Sequence, residues 1–303
     1  MKITKLEQMF DVLRNSPKKT LIAAYANDDH TISAVNQAVD MGLIDAILIG
    51  DQDTIAKVCK EENIDITKFR VVHEPDEMKA TTKACVMINE GEGNILMKGL
   101  VSTDKYMRAI LNKETGLMNK GAILSHVTVM EIPSYHKLLV ASDVAIIPYP
   151  ELAEKIVITN NVINVANALG IEKPKVAIIA ATEQVSPRMQ ATIDGCILSK
   201  MAERGQIKGA YVDGPLALDV AIDKESAKIK KLTGEVAGDA DCLVFPNIES
   251  GNILYKSNSK IAGGEQAAFV VGARVPCVLS SRGDSTLTKL YSIALAALTA
   301  PTK

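Results

Sequence analysis

The stretch TLIAAYANDDHTISAVNQAVDMGLIDAILIG, residues 20–50, decides the fold class. TLIAAYA (20–26) is apolar on consecutive rather than alternate positions, as a strand buried on both faces requires. An amphipathic segment over 31–42 predicts a helix, and DAILIG (45–50) repeats the strand motif. A strand, a helix and a second buried strand make a parallel βαβ unit. The same alternation runs outward through the chain. Further strands are expected at FRVVHE (69–74), NILMKG (94–99), VTVMEI (127–132), KLLVAS (137–142), VAIIP (144–148), KVAIIAA (175–181), GAYVDG (209–214), DCLVFP (241–246) and VPCVLS (275–280). Helices are expected over 53–62, 76–90, 103–113, 151–169, 187–204, 249–260, 261–272 and 285–300. This is an α/β protein with mostly parallel sheets. The strands at 127–148 follow one another with no room for a helix, so they mark an antiparallel or edge excursion where one lobe hands over to the next.

Length supports two lobes, because a single core rarely keeps growing at 303 residues. The 47% hydrophobic and 23% charged composition is globular and excludes disordered and fibrous chains. Lys and Arg number 34 against 36 Asp and Glu, so no net field draws in nucleic acid or an anionic membrane. Aromatics are 4% and Trp is absent, against a base-stacking platform. The opening MKITKLEQMFDVL interleaves charges and lacks a signal-peptide pattern, and apolar runs such as VAIIAA (176–181) are too short to span a bilayer. Cys59, Cys85, Cys196, Cys242 and Cys277 are scattered with no C-x-x-C, as in a chain kept reduced. A soluble cytoplasmic protein is expected.

In open α/β sheets, ligands sit where strands end and helices begin. Four such junctions carry suggestive polar groups. Ser280-Ser281-Arg282-Gly283-Asp284-Ser285 joins VPCVLS to the last helix. Gly283 permits a tight turn, Asp284 or Ser285 can cap the helix, and the free amides of its first turn favour an anion that Arg282 would grip. Lys98-Gly99-Leu100-Val101-Ser102-Thr103-Asp104 has the same design, with Arg108 a turn further on. Asp213-Gly214-Pro215-Leu216-Ala217-Leu218-Asp219 places Pro215 where a helix could start. Pro246-Asn247-Ile248-Glu249-Ser250-Gly251-Asn252 offers Asn247 and Asn252 to a polar ligand group. At each, an ordinary cap is the plainer alternative. No G-x-x-x-x-G-K-[ST], G-x-S-x-G or H-E-x-x-H occurs, no glycine fingerprint follows a strand, and the four histidines form no metal pair.

Read together, M-K-G-L-V-S-T-D-K-Y-M-R (97–108), D-G-P-L-A-L-D (213–219), L-V-F-P-N-I-E-S-G-N-I-L-Y-K (243–256) and S-R-G-D-S (281–285) resemble the phosphate acetyl/butyryltransferase family, its butyryl branch more than its acetyl branch. The resemblance runs along essentially the whole chain. It implies reversible acyl transfer between coenzyme A and inorganic phosphate, with no metal or prosthetic group and with the coenzyme A thioester as substrate. It also implies two α/β domains of the isocitrate/isopropylmalate dehydrogenase type, with the site in the interdomain cleft, and a homodimer or larger homo-oligomer. The first domain would be 1–130 plus 285–303 and the second 131–284. Ser281 and Arg282 match the family's serine-arginine pair, and Arg108 matches a phosphate-binding arginine. The acetyl branch carries a carboxylate seven residues after that serine as the proposed base for the thiol. Here that position is Thr288, which leaves Asp284 as the substitute.

The mechanism so implied is direct attack of phosphate on the thioester, with Ser281, Arg282 and Asp284 catalytic. Lys98, Ser102, Thr103, Arg108, Gly283, Asn247 and Asn252 would hold phosphate and acyl-CoA. Two other readings stand beside it: a metal- and NAD(P)-dependent dehydrogenase of the related fold, and a non-catalytic acyl-CoA or phosphate sensor.

Overall fold

The computed structural model describes residues 2–279 and 284–301. The chain divides into two compact units, Glu7–Ala122 with Ala267–Lys303, here the outer unit, and Met1–Leu6 with Ile123–Gln266, the inner unit. Both are α/β and mostly parallel.

The outer unit begins with α1 (Gln8–Arg14), β1 (Lys19–Ala24), α2 (Asp29–Asp40), β2 (Ile44–Gly50), α3 (Gln52–Glu61) and β3 (Arg70–His73). It continues through α4 (Glu77–Asn89), β4 (Ile95–Lys98) and α5 (Thr103–Ile110). Each of the four helices α2 to α5 starts where the sequence supplies an acceptor. Asp28, Asp51, Asp76 and Ser102 take the amides of Thr31, Thr54, Lys79 and Lys105, so each first turn has one orphan donor satisfied.

The inner unit carries β5 (Ser125–Glu131), β6 (Leu139–Ser142), α6 (Leu152–Ala168), β7 (Lys175–Ile179), α7 (Gln190–Glu203) and β8 (Tyr211–Leu216). The short helices α8 (Leu218–Ile222) and α9 (Lys224–Ile229) lead to β9 (Cys242–Val244) and α10 (Ile248–Lys260). Its strands lie in the order β5-β6-β9-β7-β8, with β5 antiparallel to β6 and the others parallel. Leu139, Ala177, Leu243 and Phe245 of these strands and their exits bury against Val220 and Ala221 of α8.

The chain then returns to the outer unit through β10 (Glu265–Val271), β11 (Cys277–Val278) and α11 (Thr286–Thr299). The outer strands run β3-β2-β1-β4-β11-β10, parallel except for β10. β1 is central: Ile22 lies opposite Ile47 on one side and Leu96 on the other, and all three are buried. The last helix, α11, is buried along most of its length and packs on α1 and α2, with the rings of Tyr291 and Phe10 stacked at 5.4 Å.

Three expectations are corrected. Residues 261–272 are a strand over Glu265–Val271, where Gln266 to Val270 are all buried; burial of every consecutive position outweighs the helix preference of the two alanines. Residues 144–148 form a turn, because Asp143 Oδ1 accepts from the amides of Ala145 (2.7 Å) and Ile146 (2.8 Å). Those amides are then unavailable to a ladder. Pro215 does not open a helix: β8 runs on through Leu216, opposite Ile179, and the helix begins at Leu218. Among the described residues, no helix is long and apolar enough to cross a membrane.

Candidate functional site

The outer sheet reverses its direction of growth between β1 and β4. From β1 the chain proceeds outward through β2 and β3, then returns to lay β4 on the opposite side of β1. The carboxyl ends of two strands flanking such a reversal form the crevice in which α/β proteins bind ligands. Here the two ends are pulled close. Gly99 N donates to Ala24 O (3.0 Å) and Leu100 N to Tyr25 O (2.9 Å). A Cβ on Gly99 would sit 2.4 Å from Tyr25 O, so only glycine fits.

β11 extends this edge. Cys277 pairs in register with Leu96 and Val278 with Met97. The buried hydroxyl of Tyr106 on α5 lies 3.3 Å from Leu96 O and 3.2 Å from Val278 O, tying helix and both strand ends together. Burial raises that phenol's pKa well above its ordinary value and keeps it a donor. β4 and β11 therefore end side by side. Ser281, Arg282 and Gly283, which follow β11 in the sequence, lie outside the described residues. Asp284, half-buried, leads into Ser285, whose Oγ accepts Thr288 N at 3.0 Å and caps α11.

The β4–α5 junction is tightly organised. Ser102 Oγ accepts Lys105 N (3.3 Å), while Ser102 N donates to Glu77 Oε1 (2.8 Å) from the first turn of α4. The other Glu77 oxygen receives Lys105 Nζ. Hydrogen bonds from Lys105 and then Ser102 hold the Glu77 carboxyl below its ordinary range, and the same bond from Lys105 to Glu77 raises the ammonium. Lys98, partly buried at the end of β4, donates to Gly99 O at 3.2 Å. Arg108 is on the exposed face of α5, paired with Asp104 at 3.0 Å.

In the inner unit, Asn247 Oδ1 caps α10 by accepting Ser250 N (3.0 Å) and Ser250 Oγ (2.7 Å), and Asn252 Nδ2 donates to Val144 O (3.0 Å). Beside them the Asp143 carboxylate is buried, which raises its pKa, although amides of Ala145, Ile146 and His126 hydrogen-bond the charged form.

The family described as "Phosphate acetyl/butaryl transferase" matches residues 5–84 and 72–297 of this chain. The chain belongs to the phosphate acetyl/butyryl transferase family. A phosphate butyryltransferase from Clostridium acetobutylicum is 45% identical over 301 residues, 99% of this chain and 100% of the relative. A phosphate acetyltransferase from Thermotoga maritima is 40% identical, covering 97% of this chain and 99% of the relative. Among solved structures, a branched-chain phosphotransacylase from Enterococcus faecalis V583 superposes with a TM-score of 0.81 at 31% identity, over 93% of this chain and 98% of that one.

Of the residues singled out from sequence, Lys98, Ser102 and Thr103 share the β4–α5 junction, and Asp284 stands at the entry to α11. Arg108 sits more than a turn along α5 with its charge met by Asp104, while Asn247 and Asn252 serve α10 and the turn after β6. Sequence reading passed over Glu77 and Tyr106. Tyr106 lies within the quoted motif, but its role depends on a contact with Val278, 172 residues away in sequence. Glu77 had one available signal: Ser102 is followed at the third helical position by Lys105, not by the Glu or Gln of a capping box.

Proposed function

We propose that this family member moves a short-chain acyl group reversibly between coenzyme A and inorganic phosphate, with butyryl favoured over acetyl and propionyl. Phosphate attacks the thioester carbonyl directly in a ternary complex. The phosphate oxygen adds to the carbonyl carbon to give a tetrahedral oxyanion, which collapses with loss of the C–S bond, and the phosphate proton ends on the coenzyme A sulfur. The observation that carries this reading is the parallel register of β4 and β11, tied by Tyr106, which sets the β4–α5 junction with Lys98, Ser102 and Thr103 beside the end of β11.

Both reactants are anionic, so the site must first neutralise phosphate. Arg282 and the amides opening α5 and α11 do so, joined by Lys98 and Arg108, each charge-assisted bond contributing about 1.5–3 kcal/mol. Holding the two reactants in register lowers the barrier by up to roughly 7–11 kcal/mol. Ser281 donates to the oxyanion or to the departing thiolate. Thr288 Oγ1 lies 3.0 Å from Ser285 Oγ, which favours Asp284 as the group that takes the thiol proton in the reverse direction. No resident cofactor enters the scheme. A cytoplasmic setting accords with it, since four of the five cysteines are buried free thiols suited to a reducing compartment, and a homo-oligomer belongs to the same proposal. The identity to a butyryltransferase supports the preference for four carbons.

The test mixes protein, an acyl-CoA of two, three or four carbons and a thiol reagent, with and without phosphate. Thiol release that requires phosphate and is fastest with butyryl-CoA is expected. Release at the same rate without phosphate overturns the proposal.

A further inference from the structure

The amino end of α5 lacks half of its own cap. In a capping box the N-cap side chain takes the amide of the third helical residue, and that residue's Glu or Gln returns to take the N-cap amide. Ser102 performs the first half on Lys105 N, but Lys105 cannot accept a hydrogen bond and so cannot perform the second. The missing acceptor comes from another helix: Glu77 Oε1, in the first turn of α4, lies 2.8 Å from Ser102 N. Lys105 then closes the circuit on Glu77 Oε2.

We infer that Glu77 is a positioning residue for phosphate, supplying from α4 the acceptor half of a capping box split between two helices, with Lys105 cancelling its charge. The inference rests on the proposed use of the α5 amino end as part of the phosphate site. Two consequences make it more than a structural brace. Ser102 N is directed to Glu77, which sets the course of the chain between Gly99 and Thr103 and hence the aim of the Thr103 and Asp104 amides that open the helix. A bare carboxylate there would also oppose an incoming anion. Lys105 is placed to remove that opposition, and its side chain remains 44% exposed while Glu77 is 24% exposed.

Steady-state kinetics with phosphate as the varied substrate test it. Glu77→Ala is expected to raise the KM for phosphate roughly fivefold to tenfold, the size of one lost cap, with kcat within about twofold. Glu77→Gln keeps an acceptor for Ser102 N and is expected to hold that KM within about twofold. The deciding variant is Glu77→Ala combined with Lys105→Gln, which rebuilds an ordinary box inside α5 and is expected to bring the KM back to within about threefold of wild type. An unchanged phosphate KM in Glu77→Ala overturns the inference, as does a loss confined to kcat. So does a loss that the double variant fails to rescue, including a fall in melting temperature that Lys105→Gln leaves in place. If instead the wild-type protein shows no phosphate-dependent thiol release, the functional reading fails first, and the two failures are told apart by that control.

Discussion

The Thr288 hydroxyl is committed before any substrate arrives. It lies 3.0 Å from Ser285 Oγ, which also accepts Thr288 N, and the residue is buried in the first turn of α11. A side chain so engaged helps shape the helix entry and is a poor proton acceptor. Thr288→Ala is therefore expected to lower kcat by less than about threefold, whereas loss of a general base costs on the order of a hundredfold or more. A drop of the larger size, measured by phosphate-dependent thiol release, would return Thr288 to the chemistry. Arg282→Ala is expected to abolish transfer with the far-ultraviolet circular dichroism unchanged, and near-normal turnover would reject its role. At this scale the strand-to-helix junction at Lys98–Thr103 was legible because a strand followed by a glycine and a hydroxyl cap is a local pattern. Glu77 was not, because its partners Ser102 and Lys105 lie 25 and 28 residues away and meet it only once α4 packs on α5.

Parallel strands need their starting edges aligned, and in the inner unit one carboxylate does much of this. Asp239 receives Lys175 Nζ at 2.7 Å and Lys137 Nζ at 3.1 Å, from the starts of β7 and the segment before β6, and Lys137 also meets Asp241 at 2.7 Å. Burial alone would raise the Asp239 pKa, but bonds and charges from Lys175 and Lys137 outweigh it and hold the carboxyl well below the ordinary range. A carboxyl with a depressed folded-state pKa contributes stability that is full above its unfolded value near ~3.9 and is lost as pH falls through the folded value. Asp239→Asn is thus expected to cost about 1–2 kcal/mol at pH 7, discounted because the group is partly exposed. The gap between the two proteins should close as denaturation curves are taken at progressively lower pH through the acid range; a gap that is constant down to the lowest pH removes the ion pairs from the account. Elements of this sheet were readable where burial was one-dimensional: after Lys175, the run VAII (176–179) is apolar and buried and completes β7. The turn at 144–148 was misread because its amides are claimed by the Asp143 side chain, and α8 and α9 were too short to show a period.

Across the whole chain the five cysteines form a set of reporters already in place. Cys196 is exposed on α7, while Cys59, Cys85 and Cys277 are buried in the outer unit and Cys242 in the inner unit. Burial pushes the Cys85 thiol up to about 12 and raises Cys59, Cys242 and Cys277 as well, so each is both shielded and short of thiolate. An aromatic disulfide reagent should therefore label one thiol of the native protein quickly, and Cys196→Ser should remove that fast phase. The remaining four report opening of the units in proportion: unfolding of the outer unit frees three thiols, and unfolding of the inner unit frees one. Labelling through a urea series would then show whether the three outer thiols appear together, as a cooperative unit demands, and more than one fast thiol in the native protein would contradict the packing described. The same measurement sets the baseline for the functional assay, since the reagent that captures released coenzyme A also captures Cys196. Only release beyond that single equivalent, sustained over many turnovers and dependent on phosphate, counts as acyl transfer.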